Sequence, residues 1–237
     1  MPDSPQISAP LASAAPSSTL DHVDCWVFDL DNTLYPAETD LFGLIDMRMG
    51  DYISRLLDVD AAQARIVQKR YFIDHGTTLS GLMRYHGVDP HHFLDFVHDI
   101  DLDRLQADPA LIGHIEALPG RKLIFTNGDA PYARRVLDRL GLSHIFELIH
   151  DIHTTGYRPK PDPHGYALLR DEYGVNLNHA AFFEDMARNL KPAKALGMTT
   201  IWLNNGSESG HVDAHEDFID FETHHLTPFL QNILCGE

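Results

Sequence analysis

Basic side chains are scarce in this sequence: 18 Lys and Arg stand against 35 Asp and Glu, a formal net charge of −17 over 237 residues. So acidic a chain repels nucleic-acid phosphates and anionic membrane faces unless a local basic stripe overrides the field. There is no such stripe, the longest basic clusters being pairs such as Arg121-Lys122 and Arg134-Arg135. Cysteine is nearly missing too. Cys25 and Cys235 are too few for a disulfide framework and suit a reducing cytoplasm. No apolar run approaches the roughly 18 residues of a membrane helix. The first twenty residues are rich in Ala, Ser and Pro but have neither the basic start nor the unbroken apolar stretch of a secretory signal. The expectation is a soluble, cytoplasmic protein with residues 1–20 as a disordered tail, and with no nucleic-acid polymer or membrane as partner.

What is present is enough for a real core: 43% hydrophobic and 9% aromatic residues. Sixteen His make the net charge much less negative as pH falls through about 6.5. Short apolar runs with β-branched and aromatic content, bounded by turn formers, read as buried strands. They lie at Cys25–Leu30, Lys122–Thr126, Glu147–His150, Ala180–Glu184 and Thr199–Leu203. Helix-like stretches alternate with them at Pro131–Leu140, Pro163–Tyr173 and Met186–Leu196. The alternation predicts an α/β fold, a Rossmann-like parallel sheet covered on both faces.

One interval breaks this rhythm. Leu41, Leu44, Ile45, Met49, Tyr52, Ile53 and Leu56 recur at helical spacing. Further helices are predicted at Ala61–Ile73, Leu79–Tyr85 and Pro90–Val97. A helical cap over 36–108 is therefore expected inside a discontinuous core of 21–35 and 109–237. An insert at the carboxyl end of a strand sits where α/β sheets bind ligands.

The first strand closes on Asp29-Leu30-Asp31-Asn32-Thr33-Leu34-Tyr35. In extended chain Asp29 and Asp31 point the same way, and two carboxylates so close repel unless a cation intervenes or one is protonated. A divalent metal would explain the pair, as would a nucleophile beside a general acid. So would one Asp capping a turn with the other in solvent. Phe125-Thr126-Asn127-Gly128 ends the second strand with a hydroxyl and N–H groups suited to phosphate oxygens. In Arg158-Pro159-Lys160-Pro161-Asp162-Pro163, prolines stiffen the chain about Lys160, and Asp162-Pro163 reads as a helix N-cap and first position. Phe183-Glu184-Asp185 puts two more acids at a strand end. The paired histidines His91-His92 and His224-His225 lack zinc-motif spacing and read as surface or core residues.

In this order the four pieces resemble the haloacid dehalogenase-like (HAD) superfamily of phosphohydrolases, from about Asp24 to Leu203. The resemblance implies a parallel-sheet core with a helical cap of the family's first type, and a phosphoaspartyl mechanism. Asp29 attacks phosphorus. Asp31 protonates the leaving oxygen and later deprotonates water. Thr126, the N–H of Asn127 and Lys160 hold the phosphoryl oxygens. Mg2+ is held by an Asp29 carboxylate oxygen, the Asp31 backbone carbonyl and Asp185. Glu184 stands behind these ligands, since neighbouring strand residues point apart. Asn189 orients the loop or is an ordinary helix-surface Asn. Magnesium and Lys160 bring about three positive charges to the site, which dominate the distant acidic surface beyond a Debye length of about 8 Å.

A dehalogenase of the same fold needs no leaving-group acid and generally lacks the Asp31 carboxylate. A phosphomutase shares the first half-reaction. A phospho-receiver or scaffold would have little use for the helical insert. The strings Asp29 to Tyr35-Pro36, His75-Gly76-Thr77-Thr78-Leu79 and Phe183 to Asn189 look like the pyrimidine 5′-nucleotidase branch. The implied substrate is a small-molecule phosphate ester, a pyrimidine nucleoside 5′-monophosphate, acted on by a monomer or homodimer. Within the cap, His75, Thr77 and Thr78 are the substrate-facing candidates and Arg84 the next, unless the two threonines cap the helix that follows.

Overall fold

The computed structural model describes residues 20–207 and 210–236. Residues 1–19 of the expected tail lie outside these, and Leu20, its last residue, is packed into the core. Six strands form one parallel sheet: β1 (Cys25–Phe28), β2 (Arg121–Phe125), β3 (Leu148–His150), β4 (Ala180–Glu184), β5 (Thr199–Leu203) and β6 (Phe221–Thr223). Their spatial order is β3-β2-β1-β4-β5-β6. The chain runs outward one way from β1, then returns to β4 on β1's other side. That reversal opens a crevice between β1 and β4 at their carboxyl ends.

All four residues of β1 are buried, because both sheet faces are covered. Cys25 and Val27 face a layer that includes Tyr166 and Leu169 of α7 (Pro163–Asp171), with Ala187, Leu190 and Ala193 of α8 (Ala187–Ala195). Trp26 and Phe28 face the opposite layer, with α5 (Pro109–Ala117), α6 (Ala130–Leu140) and α9 (Leu226–Cys235). The Phe28 ring stacks on Phe183 of β4 at 4.5 Å, and Phe28→Ala would cost about 3–5 kcal/mol in lost contact and cavity.

Between β1 and α5 the insert forms four helices: α1 (Leu41–Leu57), α2 (Ala61–His75), α3 (Thr78–His86) and α4 (Pro90–His98). Many of the turn-to-helix junctions share one local device. Asp89, Asp108 and Asp162 each precede a proline and accept a hydrogen bond from the backbone N–H two residues on, at 2.9–3.0 Å. Each such cap is worth about 1 kcal/mol and sets where the helix begins. α5, β6 and α9 go beyond the sequence reading. β6 is only three residues long, on the sheet edge, and too short to show a period.

Candidate active site

The charged residues of the sequence motifs converge on the crevice. Asp29 follows β1, Thr126 follows β2, and Glu184 and Asp185 straddle the end of β4. Lys160 enters from the loop before α7. Its Nζ donates to Asp29 Oδ1 at 2.6 Å, Glu184 Oε2 at 2.6 Å and the Phe125 carbonyl at 2.9 Å. All three ammonium donors are thus used, in a side chain only 1% exposed. The Phe125 and Phe182 rings lie within 5.2 and 5.3 Å of Nζ and exclude water.

Asn127 sets this lysine in place. Its side-chain Oδ1 accepts from the Lys160 N–H at 2.8 Å and its Nδ2 donates to the Lys160 carbonyl at 3.2 Å. The side chain therefore grips the backbone on both sides of the Lys160 Cα. Thr126 is buried, and its Oγ1 accepts from Gly128 N–H at 2.9 Å. Its own O–H has no acceptor among the described residues and can donate to a bound oxygen.

Three buried carboxylates, Asp29, Glu184 and Asp185, offer oxygens within 4.8 Å of one another. If all were ionised, three negative charges would face one ammonium. Burial first, then the charge of Glu184, pushes the Asp29 carboxyl up to about 8 even with Lys160 beside it. Burial and the charges of Glu184 and Asp29 raise Asp185 well above the usual carboxylate range. Burial opposes charging Lys160 as well, but its two carboxylate partners prevail and its pKa is raised. Such a cluster lacks about two positive charges, and a hard divalent cation with oxygen ligands suits both the charge and the donor set. Asp185 is steadied for that role by Asn205 Nδ2 on its Oδ2 at 3.2 Å and by Trp202 Nε1 on its carbonyl at 2.9 Å. Glu184 uses Oε2 for Lys160 and Oε1 for the Met186 N–H at 3.1 Å, so it acts chiefly as a counter-ion. Asn189 is not a surface residue. It is 3% exposed, and its Oδ1 lacks a partner among the described residues.

Asp31 is placed differently from the extended-chain expectation. β1 ends at Phe28, and the chain turns at once, with Leu34 N–H bonded to the Leu30 carbonyl at 3.0 Å and Asn32 at a φ of 57°. Asn tolerates that left-handed conformation better than most residues. The turn carries Asp31 to two buried phenols, Tyr35, read from sequence only as part of a family string, and Tyr132, which the sequence reading did not single out. Tyr35 and Tyr132 both donate to its Oδ1, at 2.5 and 2.8 Å. Burial and the nearby Asp31 charge push both phenol pKa values well above normal, so both stay protonated donors.

The cap residues divide. The turn His75-Gly76-Thr77-Thr78 lies against the lysine loop: a Cβ built on Gly76 would meet Pro159 at 3.3 Å and the Lys160 carbonyl at 3.8 Å. Gly76, at a φ of 82°, is needed for both bend and closeness. Both threonine hydroxyls are engaged within the cap. Thr77 Oγ1 accepts from Ser80 N–H at 3.2 Å as the N-cap of α3, and Thr78 donates to the Gln68 carbonyl at 3.3 Å. His75 packs near the Tyr85 ring, and Arg84 is exposed with its guanidinium over that ring. The cation at this turn is instead Arg188 of α8. It lies over the Phe72 ring at 4.6 Å and donates to the Gly76 carbonyl at 3.5 Å, while its Nε is buried without a partner among the described residues. Sequence reading passed over it because a lone Arg inside Asp185-Met186-Ala187-Arg188-Asn189 carries no pattern.

Comparison with known proteins agrees with this fold. Residues 23–197 match the family described as haloacid dehalogenase-like hydrolase. Phosphate metabolism protein 8 of Saccharomyces cerevisiae is 26% identical over an alignment of 190 residues that covers 72% of this chain, which spans only 58% of that relative's length. A HAD phosphatase from Thermococcus onnurineus has the same fold, at 23% identity and a TM-score of 0.61 over 91% of this chain and 99% of that one. The L-2-haloacid dehalogenase of Xanthobacter autotrophicus does too, at 16% identity and 0.56 over 89% and 98%. At such identities the likeness establishes the fold, and the chemistry rests on the residues. No helix among the described residues is long and apolar enough to cross a membrane.

Proposed function

Since the chain belongs to the haloacid dehalogenase-like hydrolase family, we propose that it is a magnesium-dependent phosphomonoesterase working through an aspartyl-phosphate, with pyrimidine nucleoside 5′-monophosphates as substrates. The observation that carries this reading is the pairing of Asp29, held by Lys160, with a separate carboxylate, Asp31, held by two phenols. One acid is arranged to attack and the other to move protons. A halide leaves without a proton, whereas an alkoxide needs one, so the second acid favours a phosphate ester over a carbon–halogen bond.

In this reading an Asp29 oxygen forms the new bond to phosphorus while the bond to the leaving oxygen breaks. The electron pair stays on that oxygen, which takes the proton of Asp31. Asp31, now a carboxylate, removes a proton from the water that releases phosphate. Thr126 O–H, Asn127 N–H and Lys160 Nζ stabilise the charge on the phosphoryl oxygens. Asp29, Asp185 and the Asp31 carbonyl would hold magnesium, which when bound neutralises the acidic cluster and the phosphoryl charge. A name in phosphate metabolism on the yeast relative supports the substrate class. The nucleotide assignment rests on the Tyr35-Pro36 and His75–Thr78 strings.

The test is phosphate release from para-nitrophenyl phosphate with magnesium and in excess chelator, then a panel of UMP, CMP, AMP, GMP and sugar phosphates. Hydrolysis that needs magnesium and favours UMP and CMP supports the whole reading. Sugar phosphates outrunning every nucleotide overturn the nucleotide assignment alone. Halide release from a 2-haloacid, without phosphatase activity, overturns the reaction itself.

A further inference from the structure

Asp31 Oδ1 receives two hydroxyls, and one of them reaches back into the cap. Tyr132 is 1% exposed and lies in the first turns of α6. Its ring stacks on His98, the last residue of the last cap helix, at 4.2 Å between centroids and 12° between planes. His98 Nδ1 in turn meets Asp129 Oδ1 at 2.9 Å, and the same carboxylate oxygen accepts the Tyr132 N–H at 3.2 Å. Arg135 of α6 donates to the His98 and Ile100 carbonyls at 2.9 and 2.7 Å, which fastens the segment leaving the cap to the same helix. Tyr35, the second donor, lies where the chain leaves for the cap and is 3% exposed. Each chain crossing between core and cap thus reaches the same carboxylate oxygen, one through Tyr35 itself and the other through the stack of His98 on Tyr132.

We infer that Tyr35 and Tyr132 are positioning residues for proton transfer by Asp31, and that the His98–Tyr132 stack ties this grip to the seating of the cap. This rests on the phosphatase reading above. With Oδ1 occupied by two donors, the transferable proton is confined to Oδ2, and rotation about the side chain is blocked. An aspartate with one restrained oxygen presents the other in a fixed direction, the condition for efficient general acid catalysis. Both crossings move when the cap moves, so the carboxylate is best placed only with the cap seated. Water entering an unseated cleft then meets a poorly directed base, so hydrolysis of the aspartyl-phosphate waits for the cap to seat again.

The experiment is the dependence of kcat/KM on leaving-group pKa, because kcat/KM reports the steps through departure of the alcohol or phenol. Aryl and alkyl phosphates are compared in the wild type, Tyr132→Phe, Tyr35→Phe, His98→Ala and, as the limit, Asp31→Asn. Phe at 132 keeps the ring stack and removes only the hydroxyl. The expected result is a loss that grows with leaving-group pKa, about tenfold on an alkyl phosphate and distinctly smaller on para-nitrophenyl phosphate, the scale of one hydrogen bond to a charged group. Asp31→Asn should show the same trend more steeply. An equal loss on every substrate in both tyrosine variants, with Asp31→Asn still sloped, overturns the positioning role and leaves the phosphatase reading standing. Absence of phosphate release by the wild type overturns the reading itself. His98→Ala should steepen the slope in the same direction; a slope equal to the wild type's overturns the link to the cap. If Tyr132→Phe does not fold, Tyr35→Phe decides the matter alone.

Discussion

His150 ends β3 and has no accessible surface. One ring nitrogen, Nε2, meets the Gly165 carbonyl at 3.0 Å, while Nδ1 is buried without a partner among the described residues. Burial dominates its titration and lowers the pKa to about 4, against the weaker pull of the Gly165 carbonyl and Asp151. The folded-state pKa is therefore below the unfolded value of about 6.5, and between the two the unfolded chain binds the extra proton. Stability is full above pH 6.5 and falls as pH drops through that window, reaching its floor below pH 4. The difference corresponds to about 3 kcal/mol at the floor and about 2 kcal/mol between pH 7.5 and 5. His150→Gln keeps a donor for the Gly165 carbonyl and removes the titration. Urea unfolding of wild type and variant at a series of pH values, with chelator throughout, cancels the other fifteen histidines in the difference. The gap should move by about 2 kcal/mol against the wild type from pH 7.5 to 5. Curves parallel within 0.5 kcal/mol, on the usual extrapolation error, would refute the argument that burial keeps this imidazole neutral.

Asp29→Asn should abolish turnover while leaving the circular dichroism unchanged, because an amide is a poor nucleophile; retention of a substantial fraction of wild-type activity sinks the phosphoaspartyl assignment. Lys160→Met removes the cation from between Asp29 and Glu184 and should destabilise the metal-free protein by about 3–5 kcal/mol at pH 7.5, less at pH 5.5, where the protons that must replace the cation are taken up at lower cost. Chemical denaturation at the two pH values measures it, and an equal cost at both would contradict the charge argument. Of the two thiols, only exposed Cys235 should react with a thiol reagent in the native state, since Cys25 is buried and its pKa is pushed up to about 12. Fast reaction of both would mean the β1 core is open. Arg188→Gln should raise KM for nucleotides about tenfold, with a smaller rise for para-nitrophenyl phosphate, if the unpartnered Nε serves the leaving group. Equal effects on both substrates would assign it to cap seating instead.

How much of this was legible beforehand divides along the range of the interactions. Features set by neighbours in the chain were readable from neighbours. The apolar runs that become β1, β2, β4 and β5 must be buried wherever they land, and Asp162-Pro163 caps a helix by its own geometry. The proposed catalytic acids, the threonine and the lysine could be named because their order along the chain resembles a known family, and a parallel sheet brings the strand ends that carry the acids and the threonine to one edge. Only the tertiary structure decided what each of these groups touches. Tyr132 stands 101 residues from Asp31 and His98 stands 31 from Asp129, and no spacing rule links such pairs. The turn at Leu30–Leu34 replaces strand alternation by a helical hydrogen bond, and so sends Asp31 to the phenols rather than along the strand with Asp29. Thr77 and Thr78 look equally suited to a ligand and to a helix start. Their protein partners are the adjacent helix backbone, a choice made by where α2 and α3 pack and visible only once they are packed.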